Sequence, residues 1–206
     1  MAGRLEFILG AMSSGKSEFI INKLMRRVIA GYNVQHFVPR NSLRESDPTQ
    51  RSIERGGYKI DFNIINEPDE IIHNLDDATE VIGIDELHFY DERIVEVINK
   101  IINKGIQIYT CTIDPDFRGK PVNFNGSDVS LYEIIPMSDE IHLMTAICTH
   151  ADSNGNICGS TEARWNQKYY GDEVAPYDSP LIEAGNIKPN QGVWYAPRCR
   201  EHFKFY

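Results

Sequence analysis

The sequence predicts an α/β fold, a parallel sheet flanked by helices, followed by a small C-terminal domain of different texture. Three observations predict it. Short apolar runs alternate with helix-period stripes up to about residue 143, and such alternation builds parallel strands with helices covering the faces. Beyond residue 143, Gly, Asn, Pro and Tyr become frequent, helical periodicity fades, and three of the four cysteines appear. The length, 206 residues, holds one full domain plus an appendage rather than two ordinary domains. The expected division is 1–143 and 144–206.

Residues 5–9 read as the first strand. Residues 17–30 carry Phe19, Ile20, Leu24, Val28 and Ile29 as a helix-like stripe, and Gly31 is a natural stop. Residues 34–38 and 60–65 read as further strands, with a short helix at 69–75. Residues 81–84 form an apolar run that ends in two acids, so function is expected at the C-terminal end of that buried strand. Residues 91–104 predict a helix with Ile94, Val95, Ile98, Ile101 and Ile102 on one face and Gly105 as its stop. Residues 107–112 give another strand. The polar, Arg-rich stretch 42–57 reads as a loop, and no internal repeat or low-complexity tract is evident.

Lys plus Arg number 21 and Asp plus Glu 30, a net charge of −9. That balance argues against a nucleic-acid backbone as the main partner, because such binding needs a basic footprint. One nucleotide in a locally positive pocket stays compatible with it. No apolar run approaches the roughly 20 residues of a membrane span. Residues 1–7 lack the basic-then-apolar layout of a signal peptide. The expected setting is the reducing cytoplasm, where cysteines read as metal ligands or core residues.

Gly10, Ala11, Met12, Ser13, Ser14, Gly15, Lys16 and Ser17 fit G-x-x-x-x-G-K-[ST] in full. The motif follows a predicted strand and opens a predicted helix, the context in which it cradles phosphates. The glycines let backbone N–H groups face the anion, and the helix start adds partial positive charge. Lys16 would reach the outer phosphates, and the Ser17 hydroxyl would ligate Mg²⁺. The sheet is therefore expected to be P-loop NTPase-like. Asp85 closes the 81–84 strand, where such a fold keeps the acid that holds Mg²⁺ through water. Glu86 follows directly and suits a base that activates a hydroxyl, as in a kinase, or water, as in an ATPase. A GTPase is disfavoured, because Asn22-Lys23, Asn99-Lys100 and Asn103-Lys104 lack an Asp two positions later.

Cys148, Cys158, Cys199 and His202 form a second constellation. Cys199 and His202 make a C-x-x-H turn, and a turn-rich insert separates Cys148 from Cys158. A tetrahedral Cys₃His zinc site is the natural closure, structural because four protein ligands leave no open position. It would tie a region with little core of its own. His150 is an alternative ligand, and Cys111, inside a predicted strand, reads as core.

With these residues placed, the chain resembles the type II (cellular-type) thymidine kinases, as a divergent member of phage- or bacterial-like type. The likeness runs nearly the whole length. It rests on G-x-M-x-[SA]-G-K-[ST] at residues 10–17 and on Asp-Glu-x-Gln-Phe, here Asp85-Glu86-Leu87-His88-Phe89. It rests further on D-x-D-F-R-x-x-P-F, here 114–122, on Y-x-P-x-C-R-x-H, here 195–202, and on a zinc knuckle matching 144–159. The resemblance implies transfer of the γ-phosphoryl of ATP to the 5′-hydroxyl of thymidine or deoxyuridine. By position, Glu86 would take the hydroxyl proton, while Lys16, Ser17 and Asp85 serve ATP and Mg²⁺ and Arg44 lies near the phosphates. Met12, Phe89, Phe117 and Val122 would border the base, and Tyr195 would close a lasso, residues 165–194, over it. The family is generally a homotetramer inhibited by deoxythymidine triphosphate.

Four departures stand out. His88 replaces a Gln, Ser42 replaces an acid two residues before Arg44, and Val122 replaces an aromatic beside the base. The lasso is long and carries Glu183-Ala184-Gly185 near a Val-Gly-Gly-like position. The core chemistry is kept and the pocket rim altered, so a 5-modified deoxyuridine joins thymidine as a candidate acceptor. The competing reading is a P-loop ATPase or a nucleic-acid-binding zinc-ribbon module, supported by Arg198, Arg200 and Lys204. The plain alternative for Met12, Phe89 and Phe117 is ordinary core, and for Tyr195 packing of the zinc knuckle.

Overall fold

The structure, a computed structural model, describes residues 3–42, 52–181, 183 and 192–206. The chain divides into two compact units, one of residues 1–8, 17–112 and 123–142, the other of residues 9–16, 113–122 and 143–206.

A seven-stranded sheet dominates. Its strands are β1 (Arg4–Gly10), β2 (Val34–Pro39), β3 (Ser52–Arg55), β4 (Tyr58–Ile65), β5 (Val81–Ile84), β6 (Gln107–Ile113) and β7 (Glu140–Met144), in the order β3-β4-β2-β5-β6-β1-β7. β2 pairs in parallel with β4 and β5, and β5 with β6. All four residues of β5 are buried, as a central parallel strand covered on both faces requires.

Among the described residues three α-helices flank the sheet: α1 (Lys16–Ile29), α2 (Asp69–His73) and α3 (Arg93–Asn103). α3 buries Ile94, Val97, Ile98 and Ile101, each worth roughly 1.5–3 kcal/mol of apolar burial. Val97 takes the place expected of Val95. In α1 the buried stripe is Ile20, Ile21, Leu24 and Met25, while Ile29 is exposed, so the face is rotated from the expected one. Gly83 of β5 makes this packing close. A Cβ there would stand 2.7 Å from Leu24 Cδ1 and 2.8 Å from His36 Cδ2, inside any real contact distance.

The stretch expected to be one loop is partly a hairpin. β3 and β4 pair antiparallel, with Arg55 opposite Tyr58. Gly56 and Gly57 between them have φ of 58° and 82°, the backbone of a two-residue turn that matches strand twist.

The second unit carries an antiparallel sheet of β8 (Trp165–Tyr170), β9 (Glu173–Val174) and β10 (Val193–Arg198), in the order β10-β8-β9. Part of the expected lasso is therefore strand. This unit has a core of small residues, Ala11, Ala146, Cys148, Ala163 and Cys199.

Candidate active site

The phosphate loop leaves β1 at Gly10 and enters α1 at Lys16. Glycine is required by space at Gly10 and favoured by conformation at Gly15. A Cβ on Gly10 would lie 2.4 Å from the Met144 carbonyl oxygen, and Gly15 has φ of 84°, a conformation L side chains rarely take. Ser13, with φ of 59°, adds a second left-handed residue to the curl. The Met12 N–H donates to Asn166 Oδ1 at 2.6 Å, and the Asn166 amide donates to the Pro115 carbonyl at 2.7 Å. Lys16 is buried, and its Nζ donates to the Ala11 carbonyl at 2.8 Å. A buried ammonium inside a curl of backbone N–H groups is a site for an anion.

In the other unit, the acids stand at the end of β5. The Ser17 hydroxyl donates to Asp85 Oδ1 at 3.2 Å. The Glu86 N–H donates to the same oxygen at 3.1 Å, and the Cys111 thiol at 2.7 Å. Pairing of Ile84 with Thr110 across β5 and β6 brings Asp85 beside Cys111. Cys111 is buried, as expected of a core residue, and it also braces the acid. Glu86 has φ of 50° and ψ of 59°, a left-handed conformation that costs about 1–2 kcal/mol outside glycine. Such strain is stored at functional sites. The Glu86 carboxylate meets the buried His88, whose ring lies against Phe89 with centroids 4.3 Å apart. Two further groups feel the Asp85 charge. Burial, with Asp85 next, pushes the Tyr90 phenol well above its ordinary range. Burial pulls His36 below its ordinary value, with Asp85 opposing.

The residues expected to border a base fall into both units. Phe117 and Val122 are buried. Phe117 and Tyr195 both face the Nζ of Lys168, at 5.2 and 5.8 Å from their ring centroids. Lys168 is itself fully buried and donates to the Pro180 carbonyl and to Glu183 at 2.8 and 2.7 Å. Burial first, then the Glu183 charge, raises the Tyr195 phenol above its ordinary range. Met12 and Phe89 are half-buried. Arg44 lies outside the described residues, as do Ala184 and Gly185. Ser42 is described, and its hydroxyl donates to the Pro39 carbonyl.

Cys148, Cys158, Cys199 and His202 converge, with one ligand atom from each lying within 4.8 Å of the others. The Cys158 and Cys199 sulfurs are 4.0 Å apart, and His202 Nδ1 lies 3.3 Å from the Cys199 sulfur and 3.7 Å from that of Cys148. A tetrahedral zinc with Zn–S of ~2.3 Å and Zn–N of ~2.0 Å sets edges of roughly 3.5–3.8 Å, so the cluster fits that ion. Burial resists ionisation of the Cys148 thiol, but hydrogen bonds from the Cys199 and His150 backbone and the His202 ring bring it down to about 7. His150, expected as an alternative ligand, is not in the cluster. Its ring stacks on His202 with centroids 4.1 Å apart.

A family model described as thymidine kinase matches residues 3–203. The chain belongs to the thymidine kinase family. That membership makes it a kinase, a transferase of the class that acts on pyrimidine deoxynucleosides. For this thymidine kinase relative, the nucleic-acid reading loses one of its supports. Arg198 is buried and bonds internally to the Tyr169 and Thr149 hydroxyls. Arg200 lies over the rings of Trp165 and Phe205. Sequence reasoning missed Asn166 and Lys168, whose polar strand W-N-Q-K-Y-Y gave no alternation to read. Among the described residues no helix is long and apolar enough to cross a membrane.

Proposed function

We propose that the protein transfers the γ-phosphoryl of ATP to the 5′-hydroxyl of thymidine, deoxyuridine or a 5-modified deoxyuridine. The observation that carries this reading is the Ser17–Asp85 hydrogen bond, with Glu86 next in the chain and donating to the same Asp85 oxygen. It joins the serine of the phosphate motif to the strand-end acids. The loop N–H groups and Lys16 bind the phosphates, and the resemblance assigns Arg44 to the same task. Mg²⁺ would be held by the Ser17 hydroxyl and, through water, by Asp85, and would neutralise phosphate charge. The chain's own work is positioning, and phosphoryl transfer needs little else. Glu86 takes the 5′-hydroxyl proton as that oxygen bonds to the γ-phosphorus. The bond from phosphorus to the bridging oxygen breaks, ADP leaves with the electron pair, and the deoxynucleoside monophosphate forms.

Phe117, Val122, Tyr195, Met12 and Phe89 border the base in this reading, with the 144–206 domain as lid. Zinc at the cysteine cluster is structural. A homotetramer, feedback by deoxythymidine triphosphate and a cytoplasmic setting follow from the resemblance. Steady-state kinetics of Glu86→Gln test the central role. Turnover falls by ~10²-fold or more with little change in ATP affinity, as expected for loss of a general base. Near-full turnover removes Glu86 from that role.

A further inference from the structure

Lys168 lies in the second unit with none of its side chain open to solvent. Lysine is almost never buried to that extent unless its charge is paired. Here Nζ donates to Glu183 Oε2 at 2.7 Å and to the Pro180 carbonyl at 2.8 Å. The rings of Phe117, Tyr170 and Tyr195 stand beside the ammonium, with centroids 5.2, 5.3 and 5.8 Å away. We propose that Lys168 is a positioning residue for the deoxynucleoside: it ties the chain at Pro180 and Glu183 to Phe117 and Tyr195, and so sets the wall that meets the base. The inference rests on the reading of Phe117 and Tyr195 as residues that border the base, and adds the group that holds them in place.

Strand geometry builds the arrangement. Alternation along β8 puts Asn166, Lys168 and Tyr170 on one face. The register of β8 with β10 sets Tyr195 directly opposite Lys168, where cross-strand side chains meet. Phe117 reaches the same ammonium from residues 113–122 of this unit. Glu183 is held at three points. Lys168 Nζ and the Tyr170 hydroxyl donate to Oε2, the latter at 2.8 Å, and the Tyr195 hydroxyl lies 3.5 Å from the Glu183 carbonyl oxygen. The bonds from Lys168 and Tyr170 hold the Glu183 carboxyl below its ordinary range, so the pair stays ionised at neutral pH. A buried ion pair adds little stability over a well-packed apolar side chain, because desolvation offsets the attraction. What it adds is direction. A methionine would fill the same volume, but it would bond neither a carbonyl 12 residues away nor a carboxylate 15 residues away. Side chains held before the substrate arrives lower the ordering cost of binding it. The phosphate loop is held by a different residue, since Asn166 of the same β8 face accepts from the Met12 N–H. Loss of Lys168 is therefore felt at the deoxynucleoside and not at ATP.

The test is steady-state kinetics of wild type, Lys168→Met, Glu183→Gln, the Lys168→Met/Glu183→Gln double variant and Phe117→Ala, with ATP, Mg²⁺ and either thymidine or deoxyuridine. Lys168→Met is expected to raise the deoxynucleoside KM by ~10-fold or more, while the ATP KM stays within ~2-fold and kcat within ~3-fold of wild type. Glu183→Gln keeps an oxygen but loses the charge, and raises the same KM by a smaller factor. In the double variant it adds nothing beyond Lys168→Met, because the two side chains act as a pair. Should Lys168→Met fail to fold, Glu183→Gln, at a half-buried position, carries the test through the same split between the two KM values, and an unchanged deoxynucleoside KM there counts against the proposal. A wild-type deoxynucleoside KM in Lys168→Met, an equal rise of both KM values, or simple addition of the two losses in the double variant overturns it. An impaired Phe117→Ala beside a normal Lys168→Met overturns this inference alone. An unchanged deoxynucleoside KM in Phe117→Ala overturns the reading of the base wall on which it stands, and phosphorylation of neither nucleoside by wild type overturns both.

Discussion

His36 lies inside β2 with both ring nitrogens buried and without a hydrogen-bond partner among the described residues. Its pKa is depressed from 6.5, by burial first. Above that value the ring is neutral in both folded and unfolded chains. As pH falls through 6.5, the unfolded chain takes up a proton that the buried ring refuses, so stability falls with pH. Urea unfolding between about pH 7.5 and about pH 5.5 is expected to lose more stability in wild type than in His36→Leu. Equal losses would show that His36 does not carry the effect. At this scale, legibility in the sequence followed chain distance. Gly10 to Ser17, Asp85 and Glu86 were readable because their spacing is local and chemically restrictive. The Cys111–Asp85 and His88–Thr112 pairs join residues 26 and 24 apart. They depend on a strand register that no local pattern encodes.

Elements were read well where apolar periodicity was strong and poorly where strands were polar. β5 and β6 are buried along nearly their whole length, and such runs announce themselves. β3 is half-buried or exposed, so it and the turn at Gly56-Gly57 read as part of a loop, although the glycine pair was a signal, while residues 60–65 of β4 read as strand. β8 and β10 hide in the same way behind polar and aromatic residues. What holds that second unit together is a small-residue core and the Cys₃His cluster, a case for metal in place of a large core. Elemental analysis of protein purified without chelators is expected to find one zinc per chain. Its removal should speed hydrogen exchange in β8 and β10 and leave β2 and β5 unchanged. Absence of zinc, or exchange indifferent to its removal, would contradict the structural role.

At the scale of the whole molecule, the acidic balance of −9, the family match over residues 3–203 and the internal use of Arg198 agree with a nucleotide-handling enzyme. Fold class and family were legible in the motifs. The exact base was not, and Lys168 and Glu183, which pack beside Phe117 and Tyr195, were not singled out by the polar C-terminal sequence. The most direct test is a panel of deoxynucleosides, including pyrimidines substituted at carbon 5, incubated with ATP labelled at the γ-phosphate and Mg²⁺. The account predicts label in the 5′-monophosphate of a pyrimidine deoxynucleoside, with little free phosphate. Release of inorganic phosphate with no labelled nucleotide for any acceptor would contradict it.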